Sequence, residues 1–271
     1  MKKTIILFLF TLIYSCSSND RDVDAVNNVT EIIQETKPKR LIKELTWDFE
    51  IVYKYNSQNL ISEIDYYNIN DRTKLDYKRE YIYDGNILTK IKYTMVQYNY
   101  VVFEYNFFYE NGILKNFEHL YSNYTQREYA TITYIDSSTK KIDEISYYDN
   151  LQSTPFAKEK YVYDNNVIST EFRVDFGNEK YVPYNKFVYT QDDKIGAYSD
   201  FYVYTLSSPL FLENHNITKI QKYNFSYDSN YNVTSTNLLS TENYKFSYEG
   251  DYPKSQYNGT SQSVYFWENK P

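Results

Sequence analysis

A catalytic centre needs nucleophiles, bases or metal ligands brought together, and this chain offers few of them. His119 and His215 are its only histidines. Neither has a second ligand at a metal-binding interval such as HExxH, so each reads as an ordinary sheet or loop residue. Asp192 and Asp193 are adjacent acids of the kind calcium uses, yet the twelve-residue EF-hand loop is absent. No P-loop, dinucleotide glycine motif or GxSxG elbow occurs either. The recurring acids Asp84, Glu110, Asp164, Asp228 and Glu249 each stand beside turn residues, where a short acceptor caps the backbone. These residues predict no catalytic site, no cofactor and no metal site. What remains is surface, because Tyr, Trp and Asn stack on sugar rings and hydrogen-bond to hydroxyls. Trp47 and Trp267 lie near opposite ends of the domain, where closure of a barrel brings them together or uses them as packing.

The one other reactive group is Cys16, the only cysteine, so the chain holds no internal disulfide. Lys2 and Lys3 precede an apolar stretch from Ile5 to Ile13, the layout of a secretory signal too short for an ordinary membrane span. Leu12-Ile13-Tyr14-Ser15-Cys16 resembles the bacterial lipobox, with Tyr14 bulkier than the usual residue. That resemblance implies cleavage before Cys16 and a diacylglyceryl thioether on its sulfur, hence a partner membrane. Loss of Lys2 and Lys3 leaves 27 basic against 36 acidic groups, a net charge of −9. Ser17-Ser18-Asn19-Asp20-Arg21-Asp22 resembles the export signal of Bacteroidetes surface lipoproteins, which favours the cell surface over the periplasmic face of the outer membrane. The expected organisation is a signal at 1–15, a lipidated tether at 16–39 and a β domain at 40–271. Val23, Val26, Val29, Ile32 and Ile33 allow a short helix in the tether before Pro38.

Composition describes what the anchor would carry. The 271 residues include 35 Tyr and 27 Asn, and mean hydropathy is −0.68. Aromatic residues make up 20% of the chain, which excludes a purely disordered protein. The net charge of −7, with no basic run, excludes nucleic acid as the expected partner. From Arg40 onward the chain repeats one phrase. Tyr81-Ile82-Tyr83-Asp84-Gly85-Asn86-Ile87-Leu88, Phe107-Phe108-Tyr109-Glu110-Asn111-Gly112-Ile113-Leu114 and Tyr161-Val162-Tyr163-Asp164-Asn165-Asn166-Val167-Ile168 each read aromatic, apolar, Tyr, acid, two turn residues, two aliphatics. Looser copies begin at Tyr53, Phe187, Phe225 and Phe246, and an eighth at Ile132 keeps only its second aromatic.

Gly85-Asn86, Asn111-Gly112 and Asn165-Asn166 suit two-residue type I′ turns, which need positive φ at both central positions. Asp84 then pairs with Ile87 and Tyr83 with Leu88, putting Tyr81, Tyr83 and Leu88 on one face and Ile82, Ile87 and Ile91 on the other. We read the aliphatic face as core and the tyrosine face as a half-exposed ladder, the opposite assignment remaining open. Eight hairpins give about sixteen antiparallel, up-and-down strands in an all-β fold. Such a meander must manage its edges as a curved sheet or closed barrel, with an open twisted sheet and a sandwich as the alternatives. Asp200 to Asn216 breaks the rhythm and predicts a non-hairpin excursion.

The tandem Tyr-x-Tyr-Asp-x-x-Gly/Asn-x-Leu-x-x-Ile pattern resembles the family called domain of unknown function 4595, over about residues 40 to 267. The resemblance implies a porin-like β fold on an outer-membrane lipoprotein, and no activity or catalytic residue. The spelling is distantly similar to the YD repeats of Rhs-type shells. Charged and amide residues on both strand faces argue against a membrane-spanning pore. The expectation is a tethered, non-enzymatic domain that binds or scaffolds an envelope protein, with glycan binding as the alternative.

Overall fold

The computed structural model describes residues 38–122, 127–136, 141–149, 153–164, 166–175, 180–198 and 215–271. Cys16, the signal, the tether as far as residue 37, Asn165 and most of the interruption at 200–216 lie outside the described residues. The fold is all-β: seventeen antiparallel up-and-down strands in one nearly closed, barrel-shaped sheet. In chain order they are β1 (Lys39–Leu45), β2 (Phe49–Tyr55), β3 (Ile61–Asn68), β4 (Asp71–Asp84), β5 (Ile87–Met95), β6 (Tyr100–Glu110), β7 (Ile113–Tyr121), β8 (Arg127–Asp136) and β9 (Lys141–Asp149). They continue as β10 (Ala157–Tyr163), β11 (Val167–Asp175), β12 (Lys180–Ile195), β13 (His215–Tyr227), β14 (Val233–Asn243), β15 (Lys245–Glu249), β16 (Tyr252–Tyr257) and β17 (Gln262–Asn269).

Each strand pairs with the next from β1 to β14, and β15 to β17 pair likewise. The ring closes where β17 pairs with β1, Lys39 opposite Asn269. β14 and β15 continue one another through Tyr244, pairing first with β13 and then with β16. This exchange of partners is the seam of the barrel, and it turns the expected sixteen strands into seventeen.

The turn after β2, β4, β6, β8, β10 and β15 follows a copy of the repeated phrase, so these turns share one rim, called here the motif rim. The Phe225 copy ends at the β13–β14 turn, on the far rim. Asp84 pairs with Ile87 and Glu110 with Ile113 across their turns. Asn111 and Gly112 both take positive φ, 51° and 76°, as a type I′ turn requires. In the other complete copy Gly85 alone does so, at 58°, so Asn86 follows a different turn geometry. At the third, the Asp164 amide donates to the Asn166 carbonyl at 3.0 Å.

The tyrosine face, and not the aliphatic one, is the core. Tyr53, Tyr81, Tyr105, Phe107, Tyr161, Tyr189 and Tyr265 are buried inside the barrel, while Ile82 and Ile87 point out and are exposed. The reason is width: a sheet of this many strands encloses a space that aliphatic side chains alone are too short to fill, so rings reach across it beside the fully buried Leu41, Ile64, Ile91, Ile142 and Ile145. A bulge one pair inside the turn completes the arrangement. Tyr83 faces Leu88 but Ile82 faces Lys90, so Thr89 is extra and Ile91 swings inward with Tyr81. The same step makes Ser62, Lys115, Asp143 and Lys254 extra residues. Repeated bulges raise local twist and bend the sheet toward closure.

The hydroxyls have a separate task. Ladders between neighbouring hairpins stop at Lys43, Asn116 and Glu144, two residues short of Leu41, Leu114 and Ile142. The Tyr55 hydroxyl donates to the Leu41 carbonyl at 2.6 Å and that of Tyr134 to the Leu114 carbonyl at 2.8 Å. These donors satisfy carbonyls that the ladder leaves over.

Candidate functional site

A cavity of about 190 Å³ lies at the seam. Gly196 to Tyr198, just after β12, and His215 to Ile217, opening β13, form one wall. Tyr244 and Phe246 from the partner-exchanging strand, Gln256 on β16 and Tyr265 on β17 form the other. The sequence puts small residues, Gly196 and Ala197, where the chain leaves β12, and aromatic residues on the strands opposite. That contrast in bulk leaves space which neither wall fills.

Polar groups around the cavity are held firmly. The Asn216 side chain is buried; its carbonyl accepts from the Ala197 amide at 3.1 Å and its nitrogen donates to the Ile195 carbonyl at 3.0 Å. The Asn216 backbone amide donates to Asp192 at 3.2 Å, and the Tyr248 hydroxyl and Lys194 amide reach the same carboxylate. Asp192 thus serves as an acceptor that ties β12 to β13 and β15. Its neighbour Asp193 is exposed. Among the described residues no three His, Cys, Asp or Glu side chains gather as metal ligands.

Beyond Tyr198 lies a buried carboxylate. Glu44 accepts from the Tyr53 and Tyr198 hydroxyls at 3.0 and 2.9 Å. Burial raises its pKa from 4.5, and the hydrogen bonds from Ser263, Tyr198 and Tyr53 oppose that rise only in part. Tyr265 donates to the Gln256 carbonyl oxygen at 2.7 Å, leaving the Gln256 amide nitrogen as a donor. The cavity therefore combines ring faces with amide groups, and among the described residues no carboxylate or Lys/Arg side chain lines it. This suits a small uncharged molecule with hydroxyl groups and a ring to stack.

The residues singled out in the sequence are dispersed. His119 sits inside β7, stacked on Tyr105 at 4.4 Å, whereas His215 borders the cavity with Nδ1 near the Lys194 carbonyl. Trp267 donates to the Pro253 carbonyl at 2.7 Å and packs on Tyr252, which is closure packing. Trp47 lies in the β1–β2 turn, 72% exposed. Asp84, Gly85, Asn86, Glu110, Asn111, Gly112, Asp164 and Asn166 mark the motif rim. Sequence reasoning missed the cavity, although His215 and Asn216, the last residues of the break in rhythm, line it.

A second surface appears at the far rim. Trp47, Tyr98, Tyr100, Tyr231 and Tyr257 are exposed, and all sit in or beside turns of that rim. The chain enters β1 at the opposite, motif rim, where Lys39 donates its amide to the Tyr252 hydroxyl at 2.9 Å.

No family model matches the chain, and the search of curated proteins gives no match. Among solved structures the chain is similar to a porin-like protein from Bacteroides uniformis, at 12% identity and a TM-score of 0.47, over 86% of this chain and 96% of that one. It is also similar to a porin-like protein from Bacteroides vulgatus, at 11% identity and a TM-score of 0.46, over 86% of this chain and 100% of that one.

Proposed function

We propose that the chain is a lipid-anchored outer-membrane protein, akin to the domain of unknown function 4595 family, whose barrel binds or scaffolds an envelope partner without catalysing a reaction. The observation that supports this reading is polarity along the barrel. The chain enters at the motif rim, and the exposed aromatic side chains Trp47, Tyr98, Tyr100, Tyr231 and Tyr257 stand at the other. Rings exposed to water are the anchors that interfaces use, since they bury large area at small entropic cost. A barrel held by Cys16 presents those rings away from its tether. Ser17 to Asp22 favours display on the cell surface. Labelling with palmitate is expected in the wild type and not in Cys16→Ala; label that persists in the variant refutes the anchor.

The seam cavity favours a second reading, glycan binding by an accessory lipoprotein of a polysaccharide-uptake system. Affinity electrophoresis through gels holding single polysaccharides tests it. Retardation by at least one polysaccharide, lost in Phe246→Ala, is expected; free migration through all of them removes the reading.

A further inference from the structure

Five outward side chains near the motif rim have no cover among the described residues. Ile82 and Ile87 are 46% and 44% exposed, Phe108 44%, Ile135 58% and Val162 57%. Ile82, Phe108 and Val162 hold the middle place of the Tyr/Phe-x-Tyr phrase, two residues before their turns. Ile135 is the last residue but one of β8 and Ile87 opens β5, so all five lie within three residues of the motif rim. The equivalent middle residues elsewhere are Lys54 on β2, Thr133 on β8, the half-buried Val188 on β12 and Ser247 on β15. The apolar row is therefore confined to the sector from β4 to β10. At about 4.8 Å per strand it is roughly 29 Å wide. Scattered exposed aliphatics are ordinary, but five near one rim and within one sector, interleaved with Lys90 and Asn116, mark a contact surface.

Two observations identify what it contacts. The first is where the chain outside the described residues ends: residues 17–37 deliver Pro38 and Lys39 to this same rim, with the Lys270 amide bonded to the Pro38 carbonyl at 2.8 Å. At about 3.4 Å per residue those residues span at most roughly 75 Å, so a membrane holding Cys16 stays within reach of the rim. Tethering at that distance raises the effective concentration of the lipid surface and lets a small apolar contact be populated. The second is charge. Asp84, Glu110, Asp136 and Asp164 flank the row together with Lys115 and Lys141, which lie over the Tyr134 and Tyr163 rings, while Lys90 and Lys160 are engaged by Glu104 and Glu144. The row thus fits zwitterionic head groups and is ill suited to an anionic surface.

We propose that this shoulder, carried by Ile82, Ile87, Phe108, Ile135 and Val162, rests on the phospholipid surface that holds the anchor. The inference depends on the anchored reading and adds an orientation to it. The seam, formed by β12 to β17, lies on the other side of the ring, so the cavity and the far rim remain open to solvent.

Full-length lipidated protein in phosphatidylcholine vesicles with brominated acyl chains tests the contact. Single cysteines in Phe108→Cys, Val162→Cys and Tyr98→Cys carry a polarity-sensitive fluorophore, and circular dichroism verifies the β fold of each. Quenching at positions 108 and 162 is expected to exceed that at the far-rim position 98 at least threefold. It should not increase when anionic lipid is added. The charge variant Ile82→Asp, probed at position 162, should lose most of the quenching while still incorporating palmitate. Palmitate incorporation with equal, weak quenching at all three positions overturns the inference and leaves the anchor standing. Absence of palmitate overturns both. Quenching replaced by concentration-dependent self-association assigns the row to a second copy of the chain and likewise overturns the inference.

Discussion

Removing the Tyr134 hydroxyl, as Tyr134→Phe, isolates one oxygen whose role the fold defines. The β7–β8 ladder stops at Asn116 opposite Thr131, and the Leu114 carbonyl above it accepts from Tyr134 at 2.8 Å. Phenylalanine preserves the ring and its packing but leaves that acceptor without its donor. An unsatisfied, largely buried acceptor costs about 1–3 kcal/mol, and the half-buried position of Tyr134 places the loss near 1.5 kcal/mol. For a domain of this size about 1 kcal/mol moves Tm by about 2–4 °C, so a fall of about 3–6 °C is expected. Urea and thermal unfolding of the barrel, followed by circular dichroism, measure it against Tyr98→Phe, whose side chain is exposed and serves as control. Tyr55→Phe should lose a similar amount, and the double variant should show the sum, because β2 and β8 are well separated. A Tyr134→Phe loss within about 0.3 kcal/mol of the control would refute the idea that hydroxyls join neighbouring hairpins.

Glu44 should make stability fall as pH rises. Its folded pKa lies above 4.5, so its favourable contribution is complete below pH 4.5 and is lost as pH rises through the folded value, at about 1.4 kcal/mol for each unit of displacement. Glu44→Gln should flatten the Tm profile between pH 4.5 and 7.5; an unchanged slope contradicts the assignment. Gly112 has φ of 76° with no atom near the missing Cβ, so Gly112→Ala should cost about 1 kcal/mol through backbone strain alone. Gly112→Asn should cost less, since Asn59, Asn99 and Asn111 already adopt positive φ here, and equal melting of the two variants would count against this account.

The hairpins, their antiparallel order and the near-closure were legible because the repeated phrase states turn chemistry and strand period together. The core face was not, because both faces carry large apolar residues and only the width of the closed ring decides between them. A clue stood in the spelling. Large apolar residues recur three residues apart, Ile61 and Ile64, Leu88 and Ile91, Leu114 and Phe117, Ile142 and Ile145, whereas a regular strand would place them two apart. That interval encodes the bulge. A second clue is that the third place of the phrase is Tyr in all eight copies, while the first varies among Tyr, Phe and Ile. Tyr55 and Tyr134 use the third-place hydroxyl to bond a carbonyl of the neighbouring hairpin. The cavity could not be read, since Ala197 after β12, Asn216 on β13, Phe246 on β15 and Tyr265 on β17 come from separate segments and share no motif.

Joining β1 to β17 has a consequence for the order of assembly. Lys39 and Asn269 are neighbours in the ring and almost the whole domain apart along the chain. Every other junction between successive hairpins is local and can form as its residues become available. The final junction must wait for residues 262–269, and until then β1 and the last completed strand present open edges to other chains. Folding is thus a race between completion at the C-terminus and misassociation at two exposed edges, and a cell that delays release of the last strand lengthens the vulnerable interval.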